Sequence, residues 1–443
     1  MFKELLPLLL ITGACLASSM DTRLVDAIKR RDHKTIDSLI QQKVEVNSVL
    51  ADGSTPLAWA AYLGETEVAR NLVTAGAKVN TADDYGETPL TLACNNGDAA
   101  LVKQLLSAGA DANAARWDGE TVLMIAARAG NPEVVKALLA NHAEVNKAES
   151  RKGQTALMWA AAEGHPEVVK LLIDAGADVK ATSKAGFSAL MFAASKDDAQ
   201  SVSSLVTAGV DPNFALPDGT KALSVAVAFK GTNAAEALLD SGADPNVADK
   251  QGTAPLHNAA QLGDVDLVKK LLAKGANPNA KTGKSRPNPN VPAFFRVAGE
   301  QTPIMMAAKA NHEDVMKLLL EAGSDPSLKA EDNSTLLMAA VGSGHVEIVK
   351  FAYTLDKNVK AVTKSGSTLM HAAVTGTTQT ATQKEVCEVV QFLADVGAPL
   401  DEKDGRGRTP MDVANVLPID KAVDLLNELI VKSGAEPKSK FKR

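Results

Sequence analysis

Gly153-Gln154-Thr155-Ala156-Leu157-Met158-Trp159-Ala160-Ala161-Ala162-Glu163-Gly164-His165-Pro166-Glu167-Val168-Val169-Lys170-Leu171-Leu172-Ile173-Asp174-Ala175-Gly176-Ala177-Asp178 is the stretch that decides the fold. Thr155 reads as a helix cap, because its side-chain oxygen can accept an N–H of the first turn. Leu157, Ala160 and Ala161 form the inner face of a short helix, where small residues allow close packing. After Gly164-His165-Pro166 comes a second helix with Val168, Val169, Leu172 and Ile173 on one amphipathic face. Gly176 ends it, since that stop needs a left-handed residue.

The unit recurs along the chain. Its threonine, or the residue in its place, stands at Thr55, Thr88, Thr121, Thr155, Ser188, Lys221, Ala254, Thr302, Thr335, Thr368 and Thr409, at intervals of 33, 33, 34, 33, 33, 33, 48, 33, 33 and 41. Gly53-Ser54-Thr55-Pro56-Leu57 and Gly86-Glu87-Thr88-Pro89-Leu90 carry the motif nearly intact. A period near 33 with glycine two residues ahead of the threonine, then Pro-Leu and paired alanines, resembles the ankyrin repeat. The resemblance runs from Leu24 to Gly434. It implies an all-α solenoid of stacked helix-turn-helix units with β-hairpin-like fingers. It also implies a non-enzymatic scaffold that binds another protein on the finger tips and the concave helix surface.

Gly76, Gly109, Gly209, Gly242, Gly275, Gly323 and Gly397 supply the same stop elsewhere, and His142 and Asp356 stand in where glycine is missing. One helix pair cannot bury its apolar face alone, so units must stack and the ends must be polar outside. Residues 21–52 keep the helix pattern (Leu24, Ala27, Ile28, then Ile36, Leu39, Ile40) without the threonine-proline opening, and read as an N-terminal capping repeat. Residues 53–404 are central repeats, 405–434 a C-terminal cap ending on Leu425, Leu426, Leu429 and Ile430, and 435–443 a basic tail with Lys438, Lys440, Lys442 and Arg443. A linear array of 443 residues grows without a single core and needs no further division into globular domains.

The formal net charge is −6, and no sustained basic stripe points to nucleic acid. After Lys3 an apolar run extends from Leu5 to Ala17, which is signal-peptide length and too short to span a bilayer as a helix, for which ~20 residues are needed. Residues 1–17 therefore read as an export leader cleaved after Ala17, with a buried extension of the first cap as the other reading. Thr12-Gly13-Ala14-Cys15 resembles a bacterial lipobox without its usual leucine, which makes a lipid anchor on Cys15 a variant. The expected address is periplasmic or secreted, in a bacterium rather than a eukaryote; the alternatives are a lipoprotein, or a cytoplasmic protein if the segment is retained. Cys94 and Cys387 lie about nine repeats apart and read as small helix-interior residues without a disulfide.

The seven histidines occupy repeat positions: His33, His165, His312 and His345 in the turn between helices, His257 and His371 in the opening element, and His142 at a helix stop. Asp111, Asp178, Asp211, Asp244, Asn277 and Asp325, with Asn113, Asn213, Asn246 and Asn279, lie a repeat apart and read as turn formers rather than calcium ligands. No nucleophile–base pair, phosphate loop or metal spacing survives the alignment, so no catalytic residue, cofactor or metal is expected.

Partner-binding candidates are the residues that vary on this frame. At the finger tips these are Tyr85, Trp117, Arg151, Lys152 and Lys184. Trp59 and Trp159, with Phe192, precede the alanine pair and either fill the groove between helices and fingers or anchor a partner. The interval of 48 places fifteen extra residues within a finger insertion at 281–300, where Phe294, Phe295 and Arg296 give a proline-stiffened segment apolar reach. A second insertion of eight, 376–383, is threonine-rich and reads as a plain loop. The partner is an unidentified protein; an accessory envelope protein without one defined partner is the alternative.

Overall fold

The structure, a computed structural model, describes residues 21–216, 218–285, 298–375 and 381–437. Among them are 24 helices, with isolated antiparallel bridges such as Ala115 to Thr121 and Thr182 to Ser188 in place of strands. The chain divides into two compact bodies, residues 21–160 with 174–177, and residues 161–173 with 178–437.

The first body holds α1 (Arg23–Lys29), α2 (His33–Gln41), α3 (Pro56–Tyr62), α4 (Thr66–Thr74), α5 (Pro89–Asn95), α6 (Ala99–Ser107), α7 (Val122–Ala129) and α8 (Pro132–Ala140). The chain passes from one body to the other through α9 (Ala156–Glu163) and α10 (Pro166–Asp174). The second body holds α11 (Ala189–Ser195), α12 (Ala199–Thr207), α13 (Ala222–Ala228), α14 (Thr232–Asp240), α15 (Pro255–Leu262), α16 (Val265–Ala273), α17 (Pro303–Lys309) and α18 (Glu313–Glu321). It continues with α19 (Leu336–Val341), α20 (Val346–Leu355), α21 (Leu369–Thr375), α22 (Gln383–Asp395), α23 (Pro410–Ala414) and α24 (Asp420–Lys432).

Within each body the first helices of successive units pack on one another, α3 against α1 and α5 and α15 against α13 and α17. The second helices do the same, α4 against α2 and α6 and α14 against α12 and α16. The paired alanines make this possible: Ala60, Ala61, Ala193, Ala194, Ala259 and Ala260 are all buried. The threonine openings cap as their chemistry dictates. Thr55 accepts the Ala58 N–H at 3.2 Å, and Thr88 and Thr409 form reciprocal boxes with Thr91 and Asp412. Ala254 has no oxygen to offer, yet half of the box survives because His257 Nδ1 accepts the Ala254 N–H at 3.1 Å. Thr302 sits at a cap position without capping, its buried hydroxyl lacking a hydrogen bond.

The eight glycine stops, Gly176 included, have φ between +81° and +97°, and His142 follows them at +62°. Asp356 does not. Its φ is −130° because α20 runs to Leu355 and leaves in an extended conformation, which needs no left-handed residue. At the finger turn, the two units without glycine place Glu300 (φ +56°) and Asn333 (φ +67°) in the left-handed region. Of the second insertion, 376–383, residues 376–380 lie outside the described residues; α22 starts at Gln383 and is 13 residues long against 9 for α18. The helix α22 is opened by a capping box between Thr382 and Glu385.

Asparagines stitch neighbouring units together. Asn246 donates from Nδ2 to the Gly275 carbonyl at 3.0 Å while its Oδ1 accepts the Asn277 N–H at 2.7 Å. Asn47, Asn80, Asn113, Asn213 and Asn279 repeat this two-sided bridge, always from one unit to the stop of the next. The turn-former reading is therefore incomplete: Asp111 and Asp244 close their own turns, but the asparagines two residues on reach across. Lys180, Ser327, Lys360 and Asp401 occupy the asparagine position in four other units.

Candidate functional site

The finger edge of the first body gathers most of the sequence candidates. The second finger is shaped by an aspartate: Asp83 Oδ1 accepts the N–H groups of Tyr85 (2.9 Å) and Glu87 (2.8 Å), and Gly86 donates to the Asp83 carbonyl. This leaves the Tyr85 ring outside, 65% exposed, and Trp117 one finger on is 71% exposed. Main-chain hydrogen bonds join the tips, Asp84 to Asp52 (3.2 Å), Trp117 to Tyr85 (3.3 Å) and Ser150 to Asp118 (2.9 Å). The edge is thus held in register by backbone, which lowers the ordering cost of binding.

Behind the tips lies the groove between fingers and first helices. Trp59 is half-buried there, its indole donating to Ser54 Oγ at 2.9 Å, with Lys29 Nζ 4.0 Å above the ring and Tyr62 edge-on at 5.7 Å. Trp159 is also half-buried, with the Arg128 guanidinium 5.4 Å from its ring and its indole N–H buried without a partner. Both tryptophans therefore belong to the groove wall, with part of each ring still open to solvent. Between them runs a charge chain: Arg116 pairs with Glu87 and Glu120, and Arg128 pairs with Glu120 at 2.7 Å. Within this chain the two arginines and two glutamates cancel.

Arg151 and Lys152 are exposed at the next tip, where the Glu149 carboxylate accepts both of their N–H groups, at 2.6 and 2.7 Å. Lys184 is exposed in the second body. The structure brings Tyr85, Trp117, Arg151 and Lys152 onto one edge and Trp59 and Trp159 into the groove behind it. Phe294, Phe295, Arg296, Cys15 and the tail beyond residue 437 lie outside the described residues. What is described of the first insertion is its neck: Glu331 Oε2 accepts the N–H groups of Ser285 (2.6 Å) and Gly299 (3.2 Å), and these donors hold its carboxyl below the usual carboxylate range.

Sequence reasoning missed the chain Glu87–Arg116–Glu120–Arg128. Arg116 lies 29 residues from Glu87 and becomes its neighbour only through stacking; the available signal was a basic residue in the finger column beside a glutamate of the adjacent one. Three histidines bond the main chain of the frame. His257 and His371 accept main-chain N–H groups on Nδ1 and bond carbonyls through Nε2, while His312 Nε2 contacts the Gln261 carbonyl at 3.1 Å. That ring lies where a side chain on Gly263 would stand, so only glycine fits there. Cys94 is buried in α5, which pushes its thiol pKa up. Among the described residues no group of three or more His, Cys, Asp or Glu could hold a metal ion, and no helix is long and apolar enough to cross a membrane.

Stacked two-helix units with hydrogen-bonded fingers define a helical-repeat interaction protein. The family profile described as "Ankyrin repeats (3 copies)" matches residues 24–116, 91–183, 190–282 and 304–383, and the chain belongs to the ankyrin-repeat family. It is 32% identical over 91 residues to the probable E3 ubiquitin-protein ligase XBOS32 of Oryza sativa subsp. japonica, covering 20% of this chain and 18% of that protein. It is 34% identical over 124 residues to diacylglycerol kinase iota of Homo sapiens, covering 27% of this chain and 11% of that one. The matched segments thus span less than a fifth of these relatives.

Proposed function

We propose that this chain is a non-enzymatic scaffold that grips a protein partner with the finger tips and first-helix face of its first body. The observation that carries the reading is the pair of exposed rings, Tyr85 and Trp117, on tips already fixed to each other by main-chain hydrogen bonds. Large rings on a rigid edge are the residue types that carry binding energy in interfaces. Arg151 and Lys152 extend the contact and Trp59 and Trp159 form its floor; Lys184 of the second body, and Phe294, Phe295 and Arg296 outside the described residues, are further candidate partner contacts. The test is photo-crosslinking in the native host from residues 85 and 117, with Lys103 on α6 as the control position. A discrete partner crosslinked from the tips and not from Lys103 is the expected result. Crosslinks from Lys103 alone, or turnover by the purified protein that a single polar substitution abolishes, would reject it.

The same proposal places the protein outside the cytoplasm of a bacterium, because the run Leu5 to Ala17 has the make-up of an export leader. In this reading the caps are 21–52 and 405–434 and the working repeats 53–404. Mass spectrometry of the N-terminus from the native host tests it. A start at Ser18 is expected, an acylated Cys15 selects the lipoprotein form, and an intact Met1 end rejects cleavage.

A further inference from the structure

We infer that the tips of the first three fingers take a cationic peptide segment of the partner, with Tyr85 and Trp117 as stacking surfaces and Asp84 as the main counter-charge; the inference rests on the scaffold reading above. These tips present Asp52, Asp84 and Asp118 beside the two rings. The cation of the same fingers, Arg116, is turned inward and consumed by Glu87 and Glu120, so it offsets none of the outward charge. Asp52 keeps its charge firmly, because the Ser54 hydroxyl and N–H donate to its carboxylate and hold its pKa below the usual range. Asp84 is exposed at the tip next to Tyr85, and the Trp117 N–H bonded to the Tyr85 carbonyl sets the two rings on adjacent fingers.

Rings with open faces beside carboxylates match one ligand chemistry. A guanidinium or ammonium is attracted to the ring face and to the carboxylate together, and arginine can do both with one planar group. Phosphate-bearing partners and anionic lipid surfaces would meet three carboxylates and be repelled. The fourth tip reverses sign with Arg151 and Lys152, so the bound segment has its basic residues over the first three fingers and none over the fourth.

The test is fluorescence anisotropy of labelled hexa-arginine and hexa-glutamate peptides on the full chain, at about 50 and about 200 mM salt. Hexa-arginine should bind and weaken with salt, hexa-glutamate should not bind, and Trp117→Ala and Asp84→Asn should each weaken hexa-arginine by about tenfold. Both residues are exposed, so an unchanged melting temperature should show that the variants remain folded. Hexa-arginine binding that ignores both variants, or equal binding of hexa-glutamate, would overturn the inference. So would self-association lost in Trp117→Ala, which would make the occupant a second copy. If crosslinks still rise from residues 85 and 117 after such a result, the scaffold reading stands and only the chemistry of the partner changes. If hexa-arginine binds at the tips while crosslinks come only from Lys103, the cationic site stands and the scaffold face is wrong.

Discussion

His257 Nε2 lies 3.0 Å from the carbonyl oxygen of Gln301, a residue 44 positions away, and at the same distance from that of Ala280. Ala280 and Gln301 flank the finger insertion 281–300, so one buried imidazole ties both ends of the added segment to its own repeat. Because Nδ1 accepts the Ala254 N–H, the ring is neutral with its proton on Nε2. The same logic operates at His371, whose Nδ1 accepts the Thr368 N–H and whose Nε2 meets the Arg408 carbonyl at 3.0 Å.

A pH dependence follows. Burial lowers the pKa of both histidines below the ordinary value of 6.5. Between the folded value and ~6.5 the unfolded chain binds more protons, so stability is full above ~6.5 and falls as pH drops through the folded pKa. Urea midpoints should fall between about pH 7 and about pH 5, and the double change His257→Ala, His371→Ala should flatten that slope. A slope unchanged in the double variant would show that other groups carry it.

The asparagine bridges should be measurable singly. Asn246→Ala removes two inter-unit hydrogen bonds and should cost about 1–2 kcal/mol. Lys180→Asn, which restores the missing bridge, should raise the urea midpoint. A loss from Lys180→Asn would mean that its junction is arranged differently.

The helix α14 begins at Gly231, which has no side chain to cap it, and receives its cap from the preceding repeat: Asp197 Oδ1 accepts the Ala234 N–H at 2.7 Å. Asp197→Ala should therefore destabilise the second body by about 1 kcal/mol, and Asp197→Asn by less. Hydrogen exchange at the Ala234 amide is the readout; protection unchanged in Asp197→Ala would remove the cap.

Burial should separate frame from surface. Leu172 is fully buried, and Leu172→Ala should cost about 2–5 kcal/mol. Lys152 is exposed at a tip, and Lys152→Ala should cost less than about 0.5 kcal/mol. Equal losses on chemical denaturation would contradict the register of the repeats.

What the sequence revealed followed from what repeats. Capping threonines, alanine pairs and left-handed stops act within one unit, so period and residue type located them, including His142. Features that arise between units were less legible. The reach of Asn246 to Gly275 and the pairing of Arg116 with Glu87 need neighbours that only stacking supplies. Asp356 was misread because the helix before it is one residue longer than its second-helix counterpart α18, and a glycine substitute was inferred where the chain leaves extended. At the end of the short insertion, Thr382 and Glu385 form a capping box that starts α22, a longer second helix than α18.

Hydrogen–deuterium exchange of the whole chain, with and without the partner recovered by crosslinking from residue 85 or 117, tests the central claim most directly. The account predicts new protection in fingers 83–87 and 116–120 and in first helices α5 and α7, with second helices α4, α6 and α8 unchanged. Protection confined to those second helices, with the fingers exchanging as before, would contradict it.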